Sequence, residues 1–192
     1  MNKDLAKAIQ ILEAGGVVIY PTDTAFGIGC RIDCKSAVDR VFEMRRRPRT
    51  LPMPVLVSSS DMALPYFTKP PFIVRRLMEQ HWPGALTIVY TCNQKRIYSP
   101  IRAGGRTVGI RMPDHEIALQ CITGVGVPIL GPSANFHGDP TPYRFEDLNS
   151  DLVKAVDYTL FGFCKTKRAS TVVDCTTQPP TIVRQGAVKP VL

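Results

Sequence analysis

Arginine is crowded into one short stretch of this chain: Arg40, Arg45, Arg46, Arg47 and Arg49 fall within ten residues. Cations at that spacing repel one another unless an anion shares the space. Phosphate is the natural occupant, because its oxygens match the forked, permanently charged guanidinium. Two other segments offer complementary donors. Pro-Thr-Asp-Thr (21–24) follows a β-branched run, and Gly-Pro-Ser-Ala-Asn (131–135) follows another, placing the hydroxyl of Ser133 two residues from the amide of Asn135. The C-terminal ends of strands are where α/β sheets usually place ligands. Arg111 and Arg184 sit inside strand-like text, where an unpaired charge is costly to bury. Either they face a site or they snorkel at the sheet edge.

Other chemistries find little support. There is no Walker A loop, and Gly27-Ile28-Gly29 lacks the third glycine of a dinucleotide fingerprint. No Gly-x-Ser-x-Gly elbow precedes Ser133, and His81, His115 and His137 form no triad pattern, so each reads as a surface or packing residue. Of six cysteines only Cys30 and Cys34 are close, without the second pair a zinc site needs; they read as reduced, structural thiols, and no metal ligands are assigned. Lys and Arg total 24 against 16 acidic residues, a net charge of +8 that attracts polyanions such as nucleotides or RNA. Two further basic groups, Lys95, Arg96, Arg102, Arg106 and Arg111, and Lys165, Lys167 and Arg168, read as a solvated face that aids solubility. No apolar run approaches the ~18 residues of a membrane helix, and the start, Met-Asn-Lys-Asp-Leu-Ala-Lys, lacks a secretory apolar stretch. A soluble, unexported, cytoplasmic protein with no membrane association is expected.

The elements that must position these residues follow from periodicity. Residues 3–14 space apolar positions as a helix, which Gly15-Gly16 stops. Residues 17–22 form a strand broken by Pro21, and 35–47 a helix ended by Pro48, with the arginines on its last turn and beyond. Strands are predicted at 54–59, 86–91, 107–112, 127–130, 170–175 and 181–186, and helices near 71–81, 114–123 and 144–155. Early alternation followed by late strands suits an α/β fold: an open, twisted mixed sheet with helices packed over it. Without repeats or linkers, residues 1–192 read as a single domain.

Seven ordered segments carry a resemblance: residues 15–29, Arg-x-Arg-Pro (45–48), Trp-Pro-Gly-Ala-Leu-Thr (82–87), Val-Gly-Ile-Arg-Met-Pro (108–113), Pro-Ser-Ala-Asn (132–135), Ser-Thr-Val-Val-Asp (170–174) and Val-Arg-Gln-Gly-Ala-Val (183–188). Over roughly 15–188 the chain resembles the YrdC-like threonylcarbamoyl-AMP synthase family, in its short, single-domain form. The resemblance implies an open, twisted fold with a positively charged cavity. It implies an enzyme that joins L-threonine, bicarbonate and ATP, with Mg²⁺ assisting, for tRNA threonylcarbamoyladenosine modification. Thr24, Arg111 and Ser170 would hold threonine, Thr22 lining the same pocket. Arg47, Thr107, Gly131, Ser133 and Arg184 would hold ATP, with Arg45 and Asn135 completing the basic and Ser-x-Asn signatures, and Arg45 and Arg47 acting in catalysis. A tRNA-modifying transferase would receive the product.

The chain departs from the family pattern at three places. Arg45 stands where a lysine is usual, Leu51 where a lysine often precedes the proline, and Ala169 where a glutamate is common before Ser-Thr. Two alternatives stay open. One is an RNA-binding paralog with little synthase activity, although the text shows no aromatic platforms of the kind that read single strands. The other is a carbamoyl-transfer module of the type found inside larger maturation enzymes.

Overall fold

A computed structural model describes residues 3–192; Met1 and Asn2, the first two residues of the unexported start expected above, lie outside them. Helix α1 (Lys3–Glu13) buries Leu5, Ala8, Ile9 and Leu12, one face at the spacing that 3.6 residues per turn requires. The chain then runs through β1 (Val18–Tyr20), β2 (Gly27–Gly29), α2 (Lys35–Met44), β3 (Val55–Leu56), α3 (Ser60–Ala63) and α4 (Phe72–His81). It continues with β4 (Leu86–Thr91), β5 (Thr107–Arg111), α5 (Glu116–Val125) and β6 (Ile129–Leu130). The last elements are α6 (Ser150–Ala155), β7 (Tyr158–Thr159), β8 (Thr171–Asp174) and β9 (Thr181–Arg184).

The fold is mixed α/β as expected, but the expected sheet is two. Six strands lie in the order β6-β3-β5-β4-β8-β9, with β3/β5 and β4/β8 parallel. A second sheet, β2-β1-β7, pairs β1 antiparallel to β2 and parallel to β7. Single bridges, Gly27 to Ser133 and Arg31 to Ile129, stitch β2 to the β6 edge. The reason lies in residues 22–25. Thr22 and Ala25 close a tight turn, the Thr22 amide and Oγ1 both donating to the Ala25 carbonyl at 3.2 and 2.7 Å. The chain therefore doubles back instead of continuing the sheet. Gly29 permits the approach, since a Cβ there would lie 2.1 Å from the Leu130 carbonyl oxygen.

One core cluster joins α1 to α5, packing Leu5, Ile9 and Leu12 with Ala118, Cys121 and Ile122; the larger cluster gathers α2, α4 and the strand interiors. Five of the six cysteines are buried, and all are free. Burial pushes the Cys121 thiol up to about 12 and Cys175 to about 11, so both stay protonated and inert. Among the described residues, no helix is long and apolar enough to cross a membrane.

Candidate active site

Helix α2 ends three residues before the predicted boundary, and that early stop aims the arginines. The Arg46 amide donates to Glu43 at 2.9 Å and the Arg47 amide to Phe42 at 2.9 Å, a paired helix-ending motif with Arg46 in the left-handed position at φ 51°. A left-handed non-glycine residue costs roughly 1–2 kcal/mol. The reversal sends Arg46 outward over the Phe136 ring, 4.3 Å from its centroid, and leaves Arg45 and Arg47 facing a cavity. The sequence expectation of mutual repulsion holds for those two only. Arg40 pairs with Asp157 and Arg49 with Asp39, each supplied with a carboxylate from the fold.

The cavity encloses about 180 Å³. Of the predicted site residues, Thr22, Thr24, Arg45, Arg47, Arg111, Gly131, Ser133, Ser170 and Arg184 line it. Four arginines and no acidic residue are in that lining. Arg45 is 3% exposed. Its Nε donates to the Asn135 carbonyl at 3.1 Å and its Nη2 to Asn135 Oδ1 at 3.2 Å, while Nη1 is buried with no hydrogen-bond partner among the described residues. Burial, then the nearby Arg47 charge, pushes the Arg45 guanidinium down to about 10. Arg47, half-buried, donates to the Pro52 carbonyl at 2.8 Å and lies 3.4 Å from His137 Nδ1; burial lowers its proton affinity too.

Another fixed cation lines the same cavity. Arg111, at the end of β5, pairs with Asp23 at 2.9 Å, the two side chains 6% and 3% exposed, and its Nη2 donates to Thr22 Oγ1 at 3.3 Å. A guanidinium carries five N–H donors, so most of its fork stays free for a ligand. Arg111 therefore does not snorkel at an edge: it is buried and braced. Arg184, an exposed residue, donates to the Ser170 carbonyl at 2.9 Å and to its Oγ at 3.0 Å, and Thr87 Oγ1 meets the same Ser170 hydroxyl at 2.9 Å.

Two predicted residues sit elsewhere. Asn135 lies behind the lining as a hub: its Oδ1 accepts from Arg45 and, at 2.6 Å, from Ser133 Oγ, while Nδ2 donates to the Asp139 carbonyl at 2.7 Å. Thr107 opens β5, four residues before Arg111, and is not in the lining. At a strand rise of ~3.3 Å per residue it is roughly 13 Å from Arg111. Residue type inside a strand cannot tell which end of that strand reaches the cavity. Sequence reasoning gave no role to Asp23, Thr87, Thr141 or His137. Asp23 was legible only as part of Pro-Thr-Asp-Thr, since its partner is 88 residues away. Among the described residues no group of three or more His, Cys, Asp or Glu is placed to hold a metal ion.

Chemically, the site presents one buried cation braced by a carboxylate, three further arginines without one, and the hydroxyls of Thr22, Thr24, Ser133 and Ser170. That suits two anionic groups of different size. The Sua5/YciO/YrdC family model, described as "Telomere recombination", matches residues 10–186. A Bacillus subtilis relative named threonylcarbamoyl-AMP synthase is 34% identical over 97% of this chain and 54% of its own length. The structure of Pyrococcus abyssi Sua5 complexed with L-threonine superposes with a TM-score of 0.90 at 32% identity, over 95% of this chain and 54% of that one. Escherichia coli YciO superposes with a TM-score of 0.85 at 27% identity, over 96% of this chain and 90% of that one. The chain thus spans about half the length of the synthase relative and nearly all of YciO.

Proposed function

This chain belongs to the Sua5/YciO/YrdC family, and from that premise we propose that it is an L-threonylcarbamoyladenylate synthase, making threonylcarbamoyl-AMP and diphosphate from L-threonine, bicarbonate and ATP. The observation that carries the reading is Arg45: a buried guanidinium with an unpartnered nitrogen, beside Arg47 and without a carboxylate. A buried charge of this kind is costly to hold, and an anion at the unpartnered nitrogen would offset that cost. In this reading Arg45 and Arg47 receive ATP phosphates, assisted by Ser133, the Gly131 backbone and Arg184. Arg111 receives the threonine carboxylate, with Thr22, Thr24 and Ser170 around the amino acid. At about 180 Å³, the cavity is smaller than the ~300–1,000 Å³ of typical drug-sized ligand sites. Threonine and phosphates would lie inside, and the nucleoside across the open mouth. Thr107 is left out of the ATP site.

The reaction needs alignment and charge neutralisation, not a protein nucleophile. Threonine's amine condenses with bicarbonate to a carbamate, losing water. A carbamate oxygen then attacks the α-phosphorus, and the bond to the β-phosphate bridging oxygen breaks to release diphosphate. Arg45 and Arg47 would take up the charge that builds on the leaving phosphates, and Arg111 would hold the amino acid in line. No carboxylate lines the cavity and Asp23 is committed to Arg111, so in this scheme the nucleotide's own phosphates would carry Mg²⁺. The product is a mixed anhydride that water destroys, so a tRNA-modifying transferase in the same compartment, the cytoplasm, would take it on.

The test is radiolabelled bicarbonate captured in an AMP adduct, comparing threonine, serine and no amino acid. The expected result is an adduct and diphosphate release that both require threonine. Release that ignores threonine, or no adduct at saturating substrates, removes the synthase assignment.

A further inference from the structure

Thr87, the last residue of the Trp-Pro-Gly-Ala-Leu-Thr segment, lines the cavity at 5% exposure and has no part in the scheme above. Strand register fixes where it stands. Thr87 pairs with Val172 on β8, and Val172 pairs with Arg184 on β9. On its other side Ile88 pairs with Ile110, which sets Thr87 opposite Arg111 one step further along the antiparallel ladder. Residues facing each other across strands share one face of the sheet, with Cβ atoms roughly 4.5–5.5 Å apart. Thr87, Arg111 and Arg184 therefore rise from one face, and all three line the cavity. Ile88, Ile110 and Val173, all fully buried, point the other way into the core.

The Thr87 side chain is held on both of its branches. Its Oγ1 meets the Ser170 hydroxyl at 2.9 Å. Its Cγ2 lies toward Gly109, where a Cβ would approach it to 3.2 Å. Arg184 secures Ser170 in turn, Nε and Nη2 donating to its carbonyl at 3.0 and 2.9 Å and Nη2 to its Oγ at 3.0 Å. A hydroxyl has one hydrogen and two lone pairs. The bond between Thr87 and Ser170 uses one hydrogen and one lone pair, and Arg184, which only donates, takes one lone pair of Ser170. Whichever hydroxyl donates, one hydrogen and two lone pairs are left over. Neither hydroxyl has a further hydrogen-bond partner among the described residues.

We propose that Thr87 determines which amino acid the site accepts: with Ser170 it receives a side-chain hydroxyl on the amino acid whose carboxylate Arg111 holds. The inference rests on the amino-acid site of the synthase reading. A pair with one hydrogen to give and lone pairs to fill is the complement of an alcohol, which also gives one hydrogen and accepts others. A carboxylate only accepts, and the Arg111 fork meets it. An ammonium only donates, and would leave the spare hydrogen of the pair unused. In a β-hydroxy amino acid the carboxylate carbon and the hydroxyl oxygen are three bonds apart. A ligand on Arg111 therefore presents its hydroxyl to the cross-strand neighbour on the same face, which is Thr87. An amino acid with a methyl in that place leaves the spare hydrogen buried and unpaired, the outcome by which polar sites reject an analogue lacking the hydroxyl.

The test is calorimetric titration of the full chain with L-threonine and with L-valine, which carries a methyl in place of the hydroxyl. The unaltered chain should bind threonine at least about a hundredfold more tightly than valine. In Thr87→Val, threonine should weaken about tenfold while valine changes by less than about twofold, so that discrimination falls. Thr87→Ser, which keeps the hydroxyl, should discriminate to within about threefold of the unaltered chain. Equal losses for the two ligands in Thr87→Val would make Thr87 a structural residue and overturn the inference. So would equal affinities for threonine and valine in the unaltered chain, a result that needs no variant to fold. Selective loss of threonine in Thr87→Val, with no AMP adduct in the bicarbonate assay, would sustain this inference and end the synthase reading. A chain that binds neither amino acid would end both.

Discussion

Replacing Arg45 by methionine should separate stability from binding, because the two respond to that residue with different signs. Burial pushes the guanidinium down to about 10 from an ordinary value above 12. At ~1.4 kcal/mol for each tenfold change in acidity, the fold holds this charge at a cost of about 3 kcal/mol. Its two hydrogen bonds to Asn135 return roughly 1 kcal/mol each, somewhat more because the donor is charged. Methionine fills a similar volume without charge, so removing both terms should leave the ligand-free protein within about 1 kcal/mol of its original stability. Phosphate binding has no such compensation. Loss of a charge-assisted contact should weaken an ATP analogue by roughly 1.5–3 kcal/mol, about ten- to a hundred-fold. Urea denaturation of the ligand-free protein and calorimetric titration with a non-hydrolysable ATP analogue give the two numbers. The sign with pH is also fixed. A cation whose folded value is depressed destabilises the fold fully below that value and is relieved only as pH rises through about 10. The stability difference between variant and parent should therefore be flat from about pH 6 to 9. A variant that loses more than about 2 kcal/mol of stability yet binds the analogue as before would make Arg45 a structural clamp and refute the reasoning.

Asp23→Ala should lower stability by about 3–5 kcal/mol, since it strands Arg111 as a buried, unpaired charge; a loss below about 1 kcal/mol in denaturant melts would mean that water or another group already solvates Arg111. Arg46→Val should be at least about 1 kcal/mol less stable than Arg46→Gly, because a β-branched residue tolerates φ 51° poorly and glycine does not resist it. Equal midpoints for the two variants would show that the turn relaxes. Thr107→Val should change the KM for ATP by less than about twofold, given its place at the far end of β5 from Arg111; a larger rise would return Thr107 to the nucleotide site.

What the sequence determined by itself is what depends on near neighbours. The spacing of Leu5, Ala8, Ile9 and Leu12 requires a helix, and β-branched 86–91 forms the strand its composition predicts. Arg45, Arg47, Ser133 and Arg111 were legible as candidates because their types, placed after strands and helices, suit phosphate and carboxylate. Where those side chains go was decided by the tertiary structure. Five clustered arginines look alike in sequence, yet Asp157 and Asp39 engage two, Phe136 takes a third, and a left-handed turn aims the remaining two inward. Gly27-Ile28-Gly29 gives no periodic signal, and becomes a strand only because β1 lies on one side and Ser133 bridges from the other. Asp23 acquires its role from Arg111 across 88 residues, and Thr87 meets Ser170 across 83 only after the chain has folded. Helical and strand periodicity is encoded within a few residues, whereas charge pairing and cavity lining depend on contacts between distant segments that no local pattern records.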